Sequence, residues 1–136
     1  MSYKYWRIFA TFLLALGLMA ACSTQPVNNP SNLIPVKTNV QALTLGEINT
    51  TIVDACRSRG WVPTAINQGI VQCNITVRGR HKALVNIHFD EQHYTIEYAD
   101  SEGLDYRLGK IHRNYNKWVI LLGKEIDTEL NQLVLR

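Results

Sequence analysis

Three stretches decide the fold: VQCNITV at residues 71–77, ALVNIHF at 83–89 and HYTIEYA at 93–99. In each of them, apolar side chains occupy every second position and polar side chains fill the gaps. The apolar members are Val71, Cys73, Ile75, Val77, Ala83, Val85, Ile87, Phe89, Tyr94, Ile96 and Tyr98. A period of two is typical of a strand with one buried face. The three stretches are therefore predicted to form an antiparallel meander.

The same pattern limits how these strands can pair, because facing residues must lie on one side of the sheet. Pairing Val77 with Ala83 meets this condition and implies an odd-length turn centred on residues 79–81. Pairing Phe89 with Tyr94 also meets it and implies an even-length turn that contains Glu91 and Gln92.

Amphipathic helices are predicted on both sides of the meander in the sequence. Thr44 and Glu47 have capping-box spacing, and Gly60 stands where a helix would end in a left-handed residue. Between them the apolar residues recur three and four apart: Leu45, Ile48, Ile52, Ala55 and Cys56. The apolar stripe of a longer second helix is formed by Tyr115, Trp118, Leu122, Ile126, Leu130 and Leu133. Residues 63–69 are predicted to form a loop and 99–111 a polar connection.

These elements predict an α+β domain over residues 43–136 with the order α-β-β-β-α. A meander with one apolar face needs a cover, and two amphipathic helices on that face can provide it. We therefore expect two layers: a three-stranded antiparallel meander, covered on one face by two helices.

The N-terminal residues have the composition of a secretory signal peptide. Residues 1–7 carry Lys4 and Arg7, and residues 8–21 are almost entirely apolar. That run of 14 residues is shorter than the ~20 that a membrane-spanning helix needs. The segment LMAAC, residues 18–22, resembles the bacterial lipobox, although Met19 is a less usual residue at its position. We expect a signal peptide over 1–21 and lipidation of Cys22; the alternative is ordinary cleavage after Ala21 with an incidental cysteine.

Residues 22–42 are predicted to be a lipidated cysteine followed by a flexible tether. They hold three of the four prolines and many Asn, Ser and Thr residues, with no helical or strand periodicity. Ser23, rather than Asp, follows Cys22, and in Gram-negative lipoproteins a residue other than Asp at this position is usually associated with sorting to the outer membrane. The expected location is thus the cell envelope, anchored in the outer membrane and facing the periplasm.

Length and charge restrict the classes of partner. A chain of 136 residues has room for one domain. The formal net charge is +3, but without Lys4 and Arg7 there are 12 basic and 11 acidic residues. Duplex-binding proteins concentrate positive charge on one face, so a nucleic-acid partner is not expected. The expected partner is the lipid bilayer through acylated Cys22, and another envelope protein, peptidoglycan or lipopolysaccharide is a candidate for a further one.

Cys56 and Cys73 are the two cysteines that remain after lipidation. Each is predicted to lie on the apolar side of its element, and an exported compartment is oxidising. We expect a disulfide between helix and sheet. The alternatives are two buried thiols, which behave as small hydrophobic side chains, or a zinc site that lacks an evident second pair of ligands.

Two further clusters are candidates for ligand contact. Arg78, Arg80, His81 and Lys82 surround Gly79 at a predicted hairpin tip, where guanidinium groups could bind phosphate or carboxylate. The alternative is a solvated turn that is kept basic to prevent edge pairing. His88, Asp90 and His93 could gather on the open sheet face, and imidazole with carboxylate suits zinc or copper. Solvated polar residues on that face are the alternative, and no cofactor is predicted.

No catalytic set can be assembled from the remaining residues. His81 and His112 have no evident Ser or Cys nucleophile as partner. Asp100, Glu102 and Asp105 do not have the spacing of an EF-hand loop, so we expect exposed loop carboxylates. Tyr106, Tyr115 and Trp118 could form a platform for sugar rings, but aromatics at helical or strand spacing are more often part of the core.

Several motifs resemble a family of small uncharacterised proteobacterial lipoproteins. They are CRSRGW at 56–61, VRGRHKALVNI at 77–87, YTIEYADSEGLDY at 94–106 and IHRNYNKWVILL at 111–122. The resemblance covers most of the domain and supports the fold and the compartment, but transfers no catalytic residue. We expect a non-enzymatic binding or structural module of the envelope; the alternative is a metal-binding accessory factor or an enzyme that uses the polar sheet face.

Overall fold

A computed structural model of the chain describes residues 23–37 and 41–136. Its helices are α1 (Leu45–Ser58) and α2 (Arg113–Val134). Its strands are β1 (Thr24–Pro26), β2 (Ser31–Leu33), β3 (Val62–Asn67), β4 (Ile70–Val77), β5 (His81–Phe89), β6 (His93–Glu102) and β7 (Lys110–His112). The signal peptide predicted over 1–21 and the lipidation site Cys22 lie outside the described residues. Within the described residues, no helix combines the length and the apolarity needed to cross a bilayer.

The predicted α+β class is confirmed, with an antiparallel sheet and two helices, but the sheet has five strands rather than three. Their order is β2-β6-β5-β4-β3, and β1 and β7 form a separate two-stranded ribbon. The predicted loop at 63–69 is wrong, because Val62–Asn67 pairs with β4 as an edge strand. This strand is exposed along most of its length, so it lacks the alternation by which a half-buried strand is recognised.

One of the two predicted registers is confirmed and the other is wrong. Phe89 pairs with Tyr94 as expected. Val77 pairs with His81 rather than with Ala83, whose partner is Ile75. A shift of two residues keeps every side chain on its face of the sheet, so the apolar pattern cannot distinguish the two registers. The turn that results has three residues, 78–80, instead of five.

Two parts of the stretch expected to be a flexible tether over 22–42 are paired as strands. Thr24–Pro26 pairs with Lys110–His112, and Ser31–Leu33 pairs with β6 along the register Ser31–Thr95 to Leu33–His93. Ile34 is buried in the core. Strands of three residues are too short to show an alternating pattern. Because they pair through main-chain hydrogen bonds, their side chains need not be of any particular type, so the sequence does not predict them.

Helix α1 begins and ends where the sequence predicts. The Thr44 hydroxyl accepts a hydrogen bond from the amide of Glu47, and the Glu47 carboxylate accepts one from the amide of Thr44, which completes the capping box. After Arg59, Gly60 adopts the left-handed conformation with φ 78°. The face of α1 that carries Ile48, Ile52 and Cys56 is buried.

The core lies between the helices and the alternate side chains of the central strands. Val71, Cys73, Val85, Ile87 and Ile96 are fully buried, as are Tyr115, Val119, Leu122, Ile126 and Leu130 of α2. The Tyr94 hydroxyl of β6 donates to Asp127 of α2 at 2.6 Å, and the Asn32 amide of β2 donates to the other oxygen of the same carboxylate at 2.9 Å. Asp127 thereby joins α2 to two strands of the sheet.

Candidate functional site

The described chain enters the fold immediately after the predicted lipidation site, beside the start of α2. Thr24 is the register partner of His112, and Pro26 is the partner of Lys110. His112 is also the N-cap of α2, where its ring accepts a hydrogen bond from the amide of Asn114. The chain that leads to Cys22 therefore leaves the domain next to Arg113.

Asn116 fixes this entry segment to the first turn of α2. Its side-chain amide donates to the Pro26 carbonyl at 2.9 Å, and its side-chain carbonyl accepts from the Asn28 amide at 3.0 Å. Asn116 is 8% exposed, and both hydrogen bonds are partly buried. A buried amide that satisfies two main-chain groups of another segment holds that segment in one position.

The predicted basic tip is present, but its four members have different surroundings. Arg78 and Arg80 are exposed in the β4–β5 turn, and Arg78 has φ 53°. His81 lies with its Nδ1 atom 2.8 Å from the Gly103 carbonyl oxygen. Lys82 forms an ion pair with Glu102, also at 2.8 Å. Within residues 23–37 and 41–136, the side chains of Arg78 and Arg80 make no hydrogen bond or ion pair.

The tip and the entry segment lie at the same end of the domain. Gly103, with φ 70°, approaches the tip so closely that a β-carbon built on it would lie 2.4 Å from the Arg80 carbonyl oxygen. The next residue, Leu104, accepts a hydrogen bond from the amide of His112 at 2.8 Å. This succession of contacts runs from Arg80 to the N-cap of α2. We call Arg78, Arg80, Arg113 and Lys117 the basic end.

Cys56 and Cys73 are brought together as the sequence predicts. Both are fully buried, and their sulfur atoms lie 2.6 Å apart, between α1 and β4. In this structure they are two thiols, and the contact with Cys73 together with burial raises the pKa of Cys56. A buried thiol with a raised pKa is a poor nucleophile, so the pair fits a structural role. The disulfide itself stays a prediction.

His88, Asp90 and His93 are not assembled into a metal site. His88 lies with Nε2 3.0 Å from a carboxylate oxygen of Glu97 on the outer sheet face. Asp90 instead closes the β5–β6 turn, where the amides of Gln92 and His93 donate to it and hold its pKa below the usual range. Within the part of the chain that is described, no three His, Cys, Asp or Glu side chains are grouped so that they could hold a metal ion.

The candidate aromatic platform divides between core and surface. Tyr115 is fully buried, Trp118 is half-buried, and Tyr106 is 47% exposed. Tyr106 stacks on Tyr98 with ring centroids 4.4 Å apart, and Tyr98 meets Tyr115 edge to face at 5.5 Å. The rings of Tyr115, Tyr98 and Tyr106 thus contact one another in a row from the core to the surface. Packing against neighbouring rings accounts for the position of Tyr106 and Tyr115.

A groove of about 700 Å³ between α1 and α2 is lined by carboxylates. Glu47 and Asp54 of α1 face Glu125 and Glu129 of α2 across it. Partial burial, with Glu125 and Asp54 nearby, raises the pKa of Glu129. We call Glu47, Asp54, Glu125 and Glu129 the acidic end. The groove that they line runs along the first part of α1 and the second part of α2. The carboxylates expected at Asp100, Glu102 and Asp105 are exposed and lie elsewhere. Asp100 and Glu102 belong to β6, so the polar connection predicted over 99–111 is wrong in its first part, and only Asp105 lies in the connection after this strand.

The sequence analysis missed Arg113 and Lys117 as members of a basic cluster. They are 33 to 39 residues from Arg78 and Arg80 in sequence, and only the contacts through Gly103 and Leu104 show that the two groups lie at one end. A signal was available in α2 itself, where the cations Arg113, Lys117 and Lys124 all precede the first carboxylate, Glu125. In comparisons with protein-family models, with curated proteins and with solved structures, nothing matches this chain.

Proposed function

We propose that this chain is a membrane-anchored lipoprotein of the cell envelope, held by a lipid on Cys22, and that it acts as a non-enzymatic binding or structural module. In this proposal residues 1–21 are removed, and the protein is held in the outer membrane with its domain in the periplasm. The bilayer is its first partner; a second envelope protein, peptidoglycan or lipopolysaccharide is the candidate for a further one.

One observation carries the proposal. The segment directly after Cys22 is an integral part of the fold: Thr24 pairs with His112, and Asn116 binds both Pro26 and Asn28. A lipid on Cys22 would therefore be attached to the domain at a fixed point. An arrangement of this kind suits a module that works at the membrane surface.

The layering of the domain supports a binding or structural role. We infer that both helices cover one face of the sheet, because Cys56 of α1 contacts Cys73 and Tyr94 bonds to α2 from the same face. The other face is polar. On it the Gln72 amide donates to Asn86 at 2.9 Å, beside the pair of His88 and Glu97. We infer that the polar face of the sheet, opposite the helices, is available to a partner.

The anchor is tested by changing Cys22→Ala in the full chain. This change should abolish labelling by a palmitate analogue in cells and leave the precursor unprocessed by the lipoprotein pathway, because acylation of the thiol precedes cleavage. Cys73→Ala is the control and should be labelled normally. Equal labelling of wild type and Cys22→Ala would refute the lipoprotein assignment. Ser23→Asp should retain the protein in the inner membrane.

A further inference from the structure

We propose that the basic end docks onto anionic phospholipid headgroups of the membrane that holds the chain's own anchor. The inference deepens the proposed function and rests on it for the choice of membrane. It fixes which way the domain faces: the basic end lies against the bilayer, and the acidic end points away from it.

The charge of the basic end is available to an external partner. Arg78, Arg80, Arg113 and Lys117 are exposed, and their side chains make no hydrogen bond or ion pair with any other described residue. Three carboxylates lie nearby in the chain: Asp100 and Glu102 at the end of β6, and Asp105 in the connection that follows it. Glu102 is already paired with Lys82. The unpaired cations therefore outnumber the unpaired carboxylates at this end.

The order of charges along α2 is the reverse of what the helix itself prefers. Carboxylates stabilise the positive N-terminal end of a helix dipole, and cations stabilise the negative C-terminal end. In α2 the cations Arg113, Lys117 and Lys124 come first, and Glu125, Asp127 and Glu129 follow. Helix stability cannot account for this order. A layer of negative charge outside the start of the helix does account for it.

Two exposed aliphatic side chains extend the same surface. Ile120 is 38% exposed and Leu121 is 42% exposed. With about 3.6 residues per turn, both lie on the outward stripe of α2 that carries Arg113, Lys117 and Lys124. Aliphatic side chains flanked by cations are typical of helices that lie in a membrane interface.

The position of the anchor favours anionic headgroups as the ligand of the basic end. Only Ser23 separates Thr24 from Cys22, and these two residue steps span at most about 7 Å of chain. That span is shorter than the Debye length of about 8 Å at physiological ionic strength, so anionic headgroups around the lipid would attract the basic end with little screening. Each basic residue near an anionic bilayer contributes about a fivefold gain in partitioning. No other anionic surface is brought so close by the chain's own connectivity.

The test is chemical footprinting of the processed, lipidated protein. The protein is reconstituted into phosphatidylcholine vesicles with or without phosphatidylglycerol, and acetylation of individual lysines is followed by mass spectrometry. Acetylation of Lys117 should be several-fold slower on the anionic vesicles, and high salt should restore its rate. Lys37, which is paired with Glu47 at the acidic end, is the internal reference and should react equally on both.

A matched pair of variants separates the basic end from net charge. Changing Arg78, Arg80 and Arg113 together to Gln should remove the slowing at Lys117. Changing Arg57, Arg59 and Arg136 together to Gln alters the net charge by the same amount at exposed positions outside this surface and should leave the slowing in place. Thermal unfolding of both variants checks that each is folded.

Three outcomes overturn the inference. They are equal acetylation of Lys117 on both kinds of vesicle, equal loss of the slowing in both triple variants, and slowing that appears only when peptidoglycan fragments are added. If Cys22 carries no lipid, the protein will not remain with the vesicles of pure phosphatidylcholine, which contradicts the proposed function instead. The basic end is then tested on the unlipidated chain with excess vesicles, where losing three cations should lower partitioning roughly a hundredfold.

Discussion

The two ends of the helical pair differ in how their charges are used. At the acidic end, Glu47 is held by the capping box and by an ion pair with Lys37, and Glu125 accepts a hydrogen bond from Ser58 of α1 at 3.0 Å. At the basic end, the side chains of Arg78, Arg80, Arg113 and Lys117 make no hydrogen bond or ion pair with any other described residue. Charge at the acidic end therefore serves partly to hold the fold together.

The fold accounts for the carboxylates of the acidic end, but it does not account for the cations of the basic end. Glu47 is at the N-terminus of α1, where the dipole favours an anion, and its removal should cost stability. Arg113 is at the N-terminus of α2, where the dipole disfavours a cation, and its removal should not. Substitutions at the two ends therefore have different expected effects, and these can be ranked.

The largest effect is expected at the contact that joins the tip to α2. Gly103→Ala forces a β-carbon against the Arg80 carbonyl and a left-handed conformation on an L-residue. Strain of about 1–2 kcal/mol together with an overpacking cost of 1–3 kcal/mol should lower the free energy of unfolding by roughly 2–5 kcal/mol. Urea unfolding measures this. Gly109→Ala is the control, with φ 76° and no atom near the added carbon, and should cost only the conformational part.

The next effect concerns the cysteine pair, which lies in the core away from both charged ends. A disulfide between Cys56 and Cys73, 17 residues apart, should stabilise the domain by about 3 kcal/mol through loop closure. Reductant should remove that stability in the wild type and have no effect on Cys73→Ala. Alkylation of denatured, non-reduced protein should find neither thiol free; two free thiols per processed chain would contradict the bond.

A smaller effect is expected from releasing the entry segment at the basic end. Asn116→Ala removes both side-chain hydrogen bonds and leaves the Asn28 amide and the Pro26 carbonyl without these partners. The cost should be about 1–3 kcal/mol. Amide exchange over residues 24–28 should accelerate more than exchange over α1. Asn114→Ala, two residues away and exposed, is the control; equal effects of both changes would mean that Asn116 does not hold the segment.

The smallest effect is expected at the acidic end, where the capping box begins α1. Thr44→Ala should cost about 0.5–2 kcal/mol at neutral pH, and Thr50→Ala, an exposed threonine of the same helix, should cost almost nothing. The loss should be visible in urea unfolding.

The same cap makes part of the stability pH-dependent. The hydrogen bond from the Thr44 amide, followed by the bond from Lys37, lowers the pKa of Glu47 from 4.5 to about 2. Because the folded-state pKa is the lower one, this contribution is present above pH 4.5 and is lost as the pH falls towards 2. Glu47→Gln should flatten the stability profile in that range. An unchanged profile would contradict the role of the cap.

Much of the fold can be predicted from the sequence because the central strands and the helices each have one buried face. The alternation in β4, β5 and β6 and the cap of α1 are local signals, and they were sufficient to place these elements. The strands β1, β2 and β7 have three residues each and are placed by partners far along the chain, for which a single sequence has no local signal.

The candidate site was predicted only in part, for the same reason. The tip residues stand together in the sequence, so their cluster was visible. Arg113 and Lys117 join it through the close approach of Gly103 to Arg80, which depends on the path of the connection after β6. His88 and Asp90 gave a metal-like pattern, but Glu97 and the turn amides are their partners, and those depend on the register.

The position of the entry segment also determines when the domain can be completed. Asn28 and Asn116 are 88 residues apart, and Ser31 and Tyr94 are 63 apart, whereas the hairpins of the central sheet close over a few residues. Contacts at such separations carry a larger loop-closure cost and form late. A chain made from its N-terminus thus presents its first strands long before their partners exist. If Cys22 is acylated as proposed, these strands are still unpaired while an enzyme must reach it, because the segment can take its place beside α2 only after the last helix has been made.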